Sequence, residues 1–236
     1  ELVPYLPFPT PVHDLSGKLA GAVNMLVDIS ERKDSESKQK MLLAELNHRV
    51  KNNMQMLHAL LRSAQRETAD PEARLLLSEA AQRVGAMATA QQVLYDSASP
   101  VSFEIEDFMH ALCSTARATY PREACFTRDT VQGVLPNDSA MPVALILNEL
   151  MTNAIKHGRK DDRPVNIHIA FEWDDGNWLL SLGDNGPGFD PGKSARRGSG
   201  LGLVHGLAAQ LGGSFRVERD NGARCIVKFP ASLTRQ

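Results

Sequence analysis

Between Leu43 and Leu61 apolar residues return at intervals of 3, 4, 4, 3 and 4, through Leu46, Val50, Met54 and Leu57. Residues three and four apart share one face of an α-helix, so this period predicts a long amphipathic helix from about Glu31 to Thr68. Its apolar seam needs another helix to cover it. Pro71 stands where a second helix would start, and Leu75, Leu76, Ala80, Val84, Met87, Gln91 and Leu94 carry a second stripe as far as Tyr95. Joined by Ala69-Asp70-Pro71, the two helices are expected to form an antiparallel hairpin. One hairpin buries both stripes poorly, so a homodimer that completes a four-helix bundle is expected.

The flanks have a different period. Two strands are expected around Phe8 to His13 and Leu19 to Asp28, joined by Asp14-Leu15-Ser16-Gly17. Because a lone hairpin is marginal in water, they should be the tail of a larger domain. Ser30 is a plausible N-cap for the helix that follows. After Ser97-Ala98-Ser99-Pro100, helices are expected near 105–119, 139–157 and 201–211. Strands are expected near 125–129, 165–173, 178–183, 214–219 and 223–229. That mixture predicts a two-layer α/β sandwich with a mixed sheet, so the fold class is α+β.

Composition narrows the function. The 236 residues are 42% hydrophobic and 23% charged with a net charge of -2, which argues against a surface built to hold nucleic acid or an anionic membrane. Cys113, Cys125 and Cys225 stand singly, without the paired spacing of a zinc cluster or a disulfide framework. The most apolar run, Leu19 to Ile29, is too short for a bilayer and contains Asn24 and Asp28. No signal peptide is recognised, and a cytoplasmic location is expected.

Two constellations carry chemistry. In AELNHRVKNN, His48 lies roughly 200° around the helix from both Leu46 and Val50, so it points away from the seam. Glu45, Asn52 and Gln55 share its outward face. A solvated polar face is the bland reading of such a pattern. A neutral imidazole, however, offers a ring nitrogen as a nucleophile. Glu45 is placed to orient the ring, and Arg49 to neutralise incoming phosphoryl oxygens.

In NELMTNAIKHG, the residues Glu149, Asn153 and His157 recur every four positions and form one polar face of an otherwise apolar helix. GDNGPGF follows a strand: Asp184 can accept from an amine, while Gly186 and Gly188 permit close approach and positive φ. GSGLGL then opens a helix, where backbone amides and the positive dipole end suit phosphates. The spacing fits neither a dinucleotide fingerprint nor a P-loop.

In order and spacing, NELMTNAIKHG, GDNGPGF and GSGLGL resemble the N, G1 and G2 boxes of the Bergerat ATPase fold, shared by sensor histidine kinases, gyrase, Hsp90 and MutL. With ELNHRVKNN before them, they resemble the HisKA_2 subfamily of histidine kinases, close to the HWE kinases. PVHDLSGKLAGAVNMLVDISERK resembles the last strands and exit linker of a PAS domain.

The resemblance implies residue roles. His48 would be the phosphoacceptor, Asn153 a Mg2+ ligand between the ATP phosphates, Asp184 the partner of the adenine amine and Lys156 a phosphate contact. Gly198, Gly200, Leu201 and Gly202 would line the lid and phosphate loop, Asn52 would place water for dephosphorylation, and Glu149 would serve as a base or a supporting residue. Arg49 stands where the commonest histidine kinases have an acid, so the base role moves to Glu45 or is absent.

The implied domains are 1–29, the end of a PAS sensor; 30–96, the dimerisation and phosphotransfer hairpin; and 97–236, the ATP-binding domain. The implied function is a two-component kinase that uses ATP and Mg2+, phosphorylates itself on His48, and passes the group to an aspartate of a response regulator. A Bergerat-fold serine kinase of the anti-sigma type and a nucleotide-binding scaffold are the alternatives. The helical hairpin with its outward histidine counts against the first, and intact Asn153, Asp184 and loop glycines against the second.

Overall fold

In the computed structural model the described residues are 3–97, 99, 101–158, 163–188, 200–219 and 222–231. They fall into two compact units, one ending at Val50 and the other beginning at Lys51.

The first unit starts with strands β1 (Tyr5–His13) and β2 (Leu19–Asp28), paired antiparallel with Tyr5 opposite Asp28. The Asp14 carboxylate closes the turn by accepting from the Ser16 and Lys18 amides. Helix α1 spans Ser30–Glu67 as one continuous element. Ser30 is already its first helical residue and so does not cap it. Asp28 takes that role instead, accepting from the Ser30 amide at 2.8 Å. Most of the large apolar side chains of this hairpin and of α1 up to Val50 are exposed, Leu43 at 61% and Leu46 at 58%.

The second unit contains the rest of α1, which turns back at Thr68 into helix α2 (Pro71–Asp96). Pro71 occupies the first helical turn and Asp70 caps it through the Glu72 amide. The antiparallel course is as predicted, with His58 of α1 opposite Gly85 of α2. The buried face of α2 differs from the predicted stripe, because Leu75 and Leu76 are exposed while Ala81, Ala86 and Ala90 are buried. Small side chains let α2 lie close against helices α3 (Ile105–Thr119) and α4 (Ala140–Gly158).

The α/β layer is built as predicted. Strands β4 (Ala124–Thr130), β6 (Val165–Asp174), β7 (Asn177–Asp184), β8 (Ser214–Arg219) and β9 (Ala223–Pro230) form a sheet of order β4-β6-β7-β9-β8. Only the β4–β6 pairing within it is parallel. Helices α3, α4 and α5 (Gly200–Gln210) cover one face. Val165, Ile167, Ile169 and Phe171 of β6 alternate into that layer, with Phe171 packed edge-on against both Trp178 and Phe229.

Two short strands escaped the sequence reading: β3 (Ser102–Glu104) and β5 (Val134–Pro136) pair Phe103 with Leu135. Three residues are too few to show a period.

Candidate nucleotide site and phosphoacceptor helix

Helix α4 is packed on both sides, by the sheet and by α2, so even its polar residue Glu149 is only 7% exposed. The predicted polar face is thus internal at Glu149. Glu149 meets the guanidinium of Arg83 in a two-pronged contact, Nε to Oε1 at 2.7 Å and the second nitrogen to Oε2 at 3.2 Å. That hydrogen bond raises the Arg83 pKa against the opposing effect of burial.

One turn further along α4, Asn153 is half-buried, and Lys156 and His157 are exposed. Lys156 Nζ donates to Glu79 at 2.6 Å.

The α5 start and the β7 end close around this helix. A Cβ on Gly200 would overlap Glu149 Oε2 and reach within 3.6 Å of the Asn153 amide nitrogen, so any larger residue there would have to displace the Glu149 carboxylate. At the C-terminal end of α4, Asp184 Oδ1 accepts from the Gly186 amide at 2.8 Å and the Ala223 amide at 3.4 Å. A Cβ on Gly186 would collide with the Gly158 backbone and Asp184 Oδ1, while Gly188 adopts φ 72°. Glycine at 186 thus permits close approach and at 188 supplies positive φ, as the sequence predicts.

Of the nucleotide residues expected from the sequence, Glu149 and Asn153 lie against Gly200, and Asp184 and Gly186 against Gly158. Leu201 and Gly202 continue the first turn of α5. Gly198 lies outside the described residues.

A cavity of about 360 Å³ lies elsewhere, between α1, α2, α3 and α4, lined among others by Met54, His58, Arg62, Tyr120 and Met151. Its lining contains none of Glu149, Asn153, Asp184, Gly186 and Gly200.

The donor set along α4 suits Mg2+ in one respect. The Asn153 amide oxygen is a hard ligand of the sort this ion takes alongside phosphate oxygens. Among the described residues there is no group of three or more His, Cys, Asp or Glu side chains that could hold a metal ion.

On α1, His48 and Asn52 are exposed. The Glu45 carboxylate accepts from Arg49 Nε at 2.8 Å. That hydrogen bond and the Arg49 charge hold its pKa below the usual range, with a weaker pull from His48. Arg49 is thus spoken for by Glu45 in this state.

Sequence reasoning missed Glu79 and Arg83. Their i, i+4 spacing and opposite charges suggest a pair along α2 itself. The fold sends both across to α4 instead.

Comparisons with known proteins converge on one family. The histidine kinase family HisKA_2 matches residues 45–120. The histidine kinase-, DNA gyrase B- and HSP90-like ATPase family matches residues 138–233. The chain is 29% identical over 228 residues to the sensor histidine kinase PdtaS of Mycobacterium tuberculosis, covering 92% of this chain and 45% of that protein. It is also 29% identical over 230 residues to the blue-light-activated histidine kinase of Brucella ovis, covering 92% and 42%. The chain thus spans less than half the length of these curated relatives.

A solved blue-light-activated histidine kinase of Erythrobacter litoralis superposes with a TM-score of 0.61 at 21% identity, covering 97% of this chain and 70% of that one, a likeness of fold. Among the described residues no helix is long and apolar enough to cross a membrane. The chain thus pairs a HisKA_2 histidine kinase segment with a following histidine kinase-, DNA gyrase B- and HSP90-like ATPase segment.

Proposed function

We propose that the chain binds ATP in the α4–β7–α5 cleft and transfers its γ-phosphoryl group to His48, from which an aspartate of a response regulator takes it. The observation that carries this reading is the meeting of Glu149 and Asn153 with Gly200 midway along α4 and of Asp184 and Gly186 with Gly158 at its C-terminal end. A nucleotide laid along α4 would have its adenine amine at Asp184 and its phosphates at Asn153, Lys156 and the amides opening α5. His157 adds a polar group on the same helix, and Gly188, Gly198, Leu201 and Gly202 shape the loops around the ligand. Asn153, together with phosphate oxygens, would hold Mg2+, which supplies charge neutralisation during transfer.

In the transfer a ring nitrogen of His48 forms a bond to the γ-phosphorus, the bond to the bridging oxygen breaks, and ADP leaves with that electron pair. The proton on the other ring nitrogen passes to Glu45 or to water. Arg49, released from Glu45, neutralises phosphoryl oxygens, and Asn52 places water for dephosphorylation. Phosphoryl transfer depends mostly on positioning and charge stabilisation, so domain movement sets the rate.

The proposed functional division is a PAS end at 1–29, a dimerisation and phosphotransfer hairpin at 30–96 and an ATP-binding domain at 97–236. It acts as a homodimer in the cytoplasm. The apolar residues exposed on α1, including Leu43, Leu46 and Leu57, support the homodimer.

The test is incubation with Mg2+ and γ-labelled ATP, following label that is lost in acid and kept in alkali. Wild type is expected to label, with His48→Ala and Asn153→Ala both blank. Label surviving in His48→Ala would turn the reading towards a serine kinase, and nucleotide binding without turnover towards a scaffold.

A further inference from the structure

Three contacts join α2 to α4 in antiparallel order. Glu79 accepts from Lys156 Nζ at 2.6 Å, Gln82 Oε1 accepts from Thr152 Oγ1 at 3.4 Å, and Arg83 donates to both Glu149 oxygens. The α2 positions are i, i+3 and i+4, one helix face, and the α4 positions 156, 152 and 149 are one face in return. Charge alternates between the two ends, acid to base at Lys156 and base to acid at Glu149. Docked with the ends exchanged, the helices would set Glu79 against Glu149 and Arg83 against Lys156.

The α4 side of this ladder is also the side that meets the loops. Glu149 Oε2 lies against the Gly200 backbone at the start of α5, and Asn153 sits between the rungs, within 3.6 Å of the same point. Lys156 is the cation nearest the proposed phosphate position on α4, and its ammonium is already neutralised by Glu79. A phosphate that takes Lys156 must take it from Glu79.

Resting on the nucleotide reading above, we propose that the Glu79–Lys156 and Arg83–Glu149 ladder is an autoinhibitory clamp, in which α2 and the nucleotide phosphates compete for the same face of α4. Binding couplings are reciprocal. Loosening the ladder tightens nucleotide binding, and nucleotide loosens α2 from α4. The occupant of the site thereby controls whether the hairpin is held or released, without any contact between nucleotide and α1.

The experiment measures the affinity of a non-hydrolysable ATP analogue with Mg2+ for wild type, Glu79→Gln and Glu72→Gln. The last removes an equal charge from α2 outside the ladder. Amide hydrogen exchange of α2 is followed in wild type with and without the analogue. The expected result is affinity tightened roughly two- to fivefold in Glu79→Gln, the scale of one partly exposed ion pair. Glu72→Gln should match wild type, and exchange across Arg74 to Ala90 should speed up when the analogue binds. Equal affinities for wild type and Glu79→Gln, or α2 exchange untouched by the analogue, overturn the clamp and leave the ATP site standing. Absence of binding in every variant overturns the nucleotide reading and the clamp with it.

Discussion

The same chemistry stands in two settings in this molecule. Glu45 and Arg49 pair at 2.8 Å with side chains 57% and 71% exposed, while Glu149 and Arg83 pair at 2.7 Å with side chains 9% and 35% exposed. The first joins neighbours on one helix surface. The second joins residues 66 positions apart and sits beside the proposed phosphate site. The apolar residues divide in the same way, Leu43 and Leu46 lying open on α1 while Phe171 and Leu180 are sealed in the α/β layer. Distance and residue type are therefore poor guides to what a contact does. Burial decides whether breaking it leaves a group solvated by water or stranded.

Breaking the core side should have the largest effect. Phe171→Ala removes a fully buried ring that touches Trp178 and Phe229, and is expected to cost about 3–5 kcal/mol in urea unfolding of the α/β layer. Leu43→Ala at equal protein concentration should cost no more than about 0.5 kcal/mol in a monomer. A larger, concentration-dependent cost there would show that a second chain covers α1.

The two ion pairs can be separated next. Arg83→Met leaves the Glu149 carboxylate buried without its partner and should destabilise by about 1–3 kcal/mol, with much of the loss recovered in the double variant with Glu149→Gln. Arg49→Ala should leave the unfolding midpoint unchanged.

Thiol reactivity sharpens the contrast further. Burial, with the Asp184 charge behind it, pushes the Cys225 thiol up to about 12, and burial likewise raises Cys113, whereas Cys125 is exposed. A maleimide at mild alkaline pH should label Cys125 alone until the fold is opened by denaturant. Labelling of Cys225 in the native protein would mean that the β7–β9 region opens on its own.

The smallest effect is acid fraying of the α1 start. The Asp28 carboxyl is held below its usual range by hydrogen bonds from Ser30, so its contribution is present above the ordinary carboxylate pKa and lost as pH falls through the lowered one. Amide exchange at Ser30 to Asp34 should therefore show reduced protection at acid pH. Asp28→Asn should flatten that pH dependence.

Local signals carried far in the sequence. The helical spacing through Leu43 and Leu61, Pro71 after Asp70, and the Asp184-to-Phe189 glycine run are each readable because a helix face, a cap or a close turn constrains residues near each other in the chain. The same locality explains why the close approach at Gly186 was readable before any neighbour was known. It also explains the misses. β3 and β5 are too short to display a period, Ser30 and Asp28 compete for one helix start, and the leucine stripe of α2 is more apolar than its alanine face.

By itself, then, the sequence determined the helical hairpin and the mixed α/β layer, because these follow from periodicity and from backbone demands within a few residues. Only the tertiary structure decided which face of α2 is buried and where Glu79 and Arg83 send their charges. Close packing selected the small residues Ala81, Ala86 and Ala90 over Leu75 and Leu76. Once α2 lies on α4, Lys156 and Glu149 become its nearest opposite charges, and pairing across the interface satisfies a carboxylate that burial would otherwise strand.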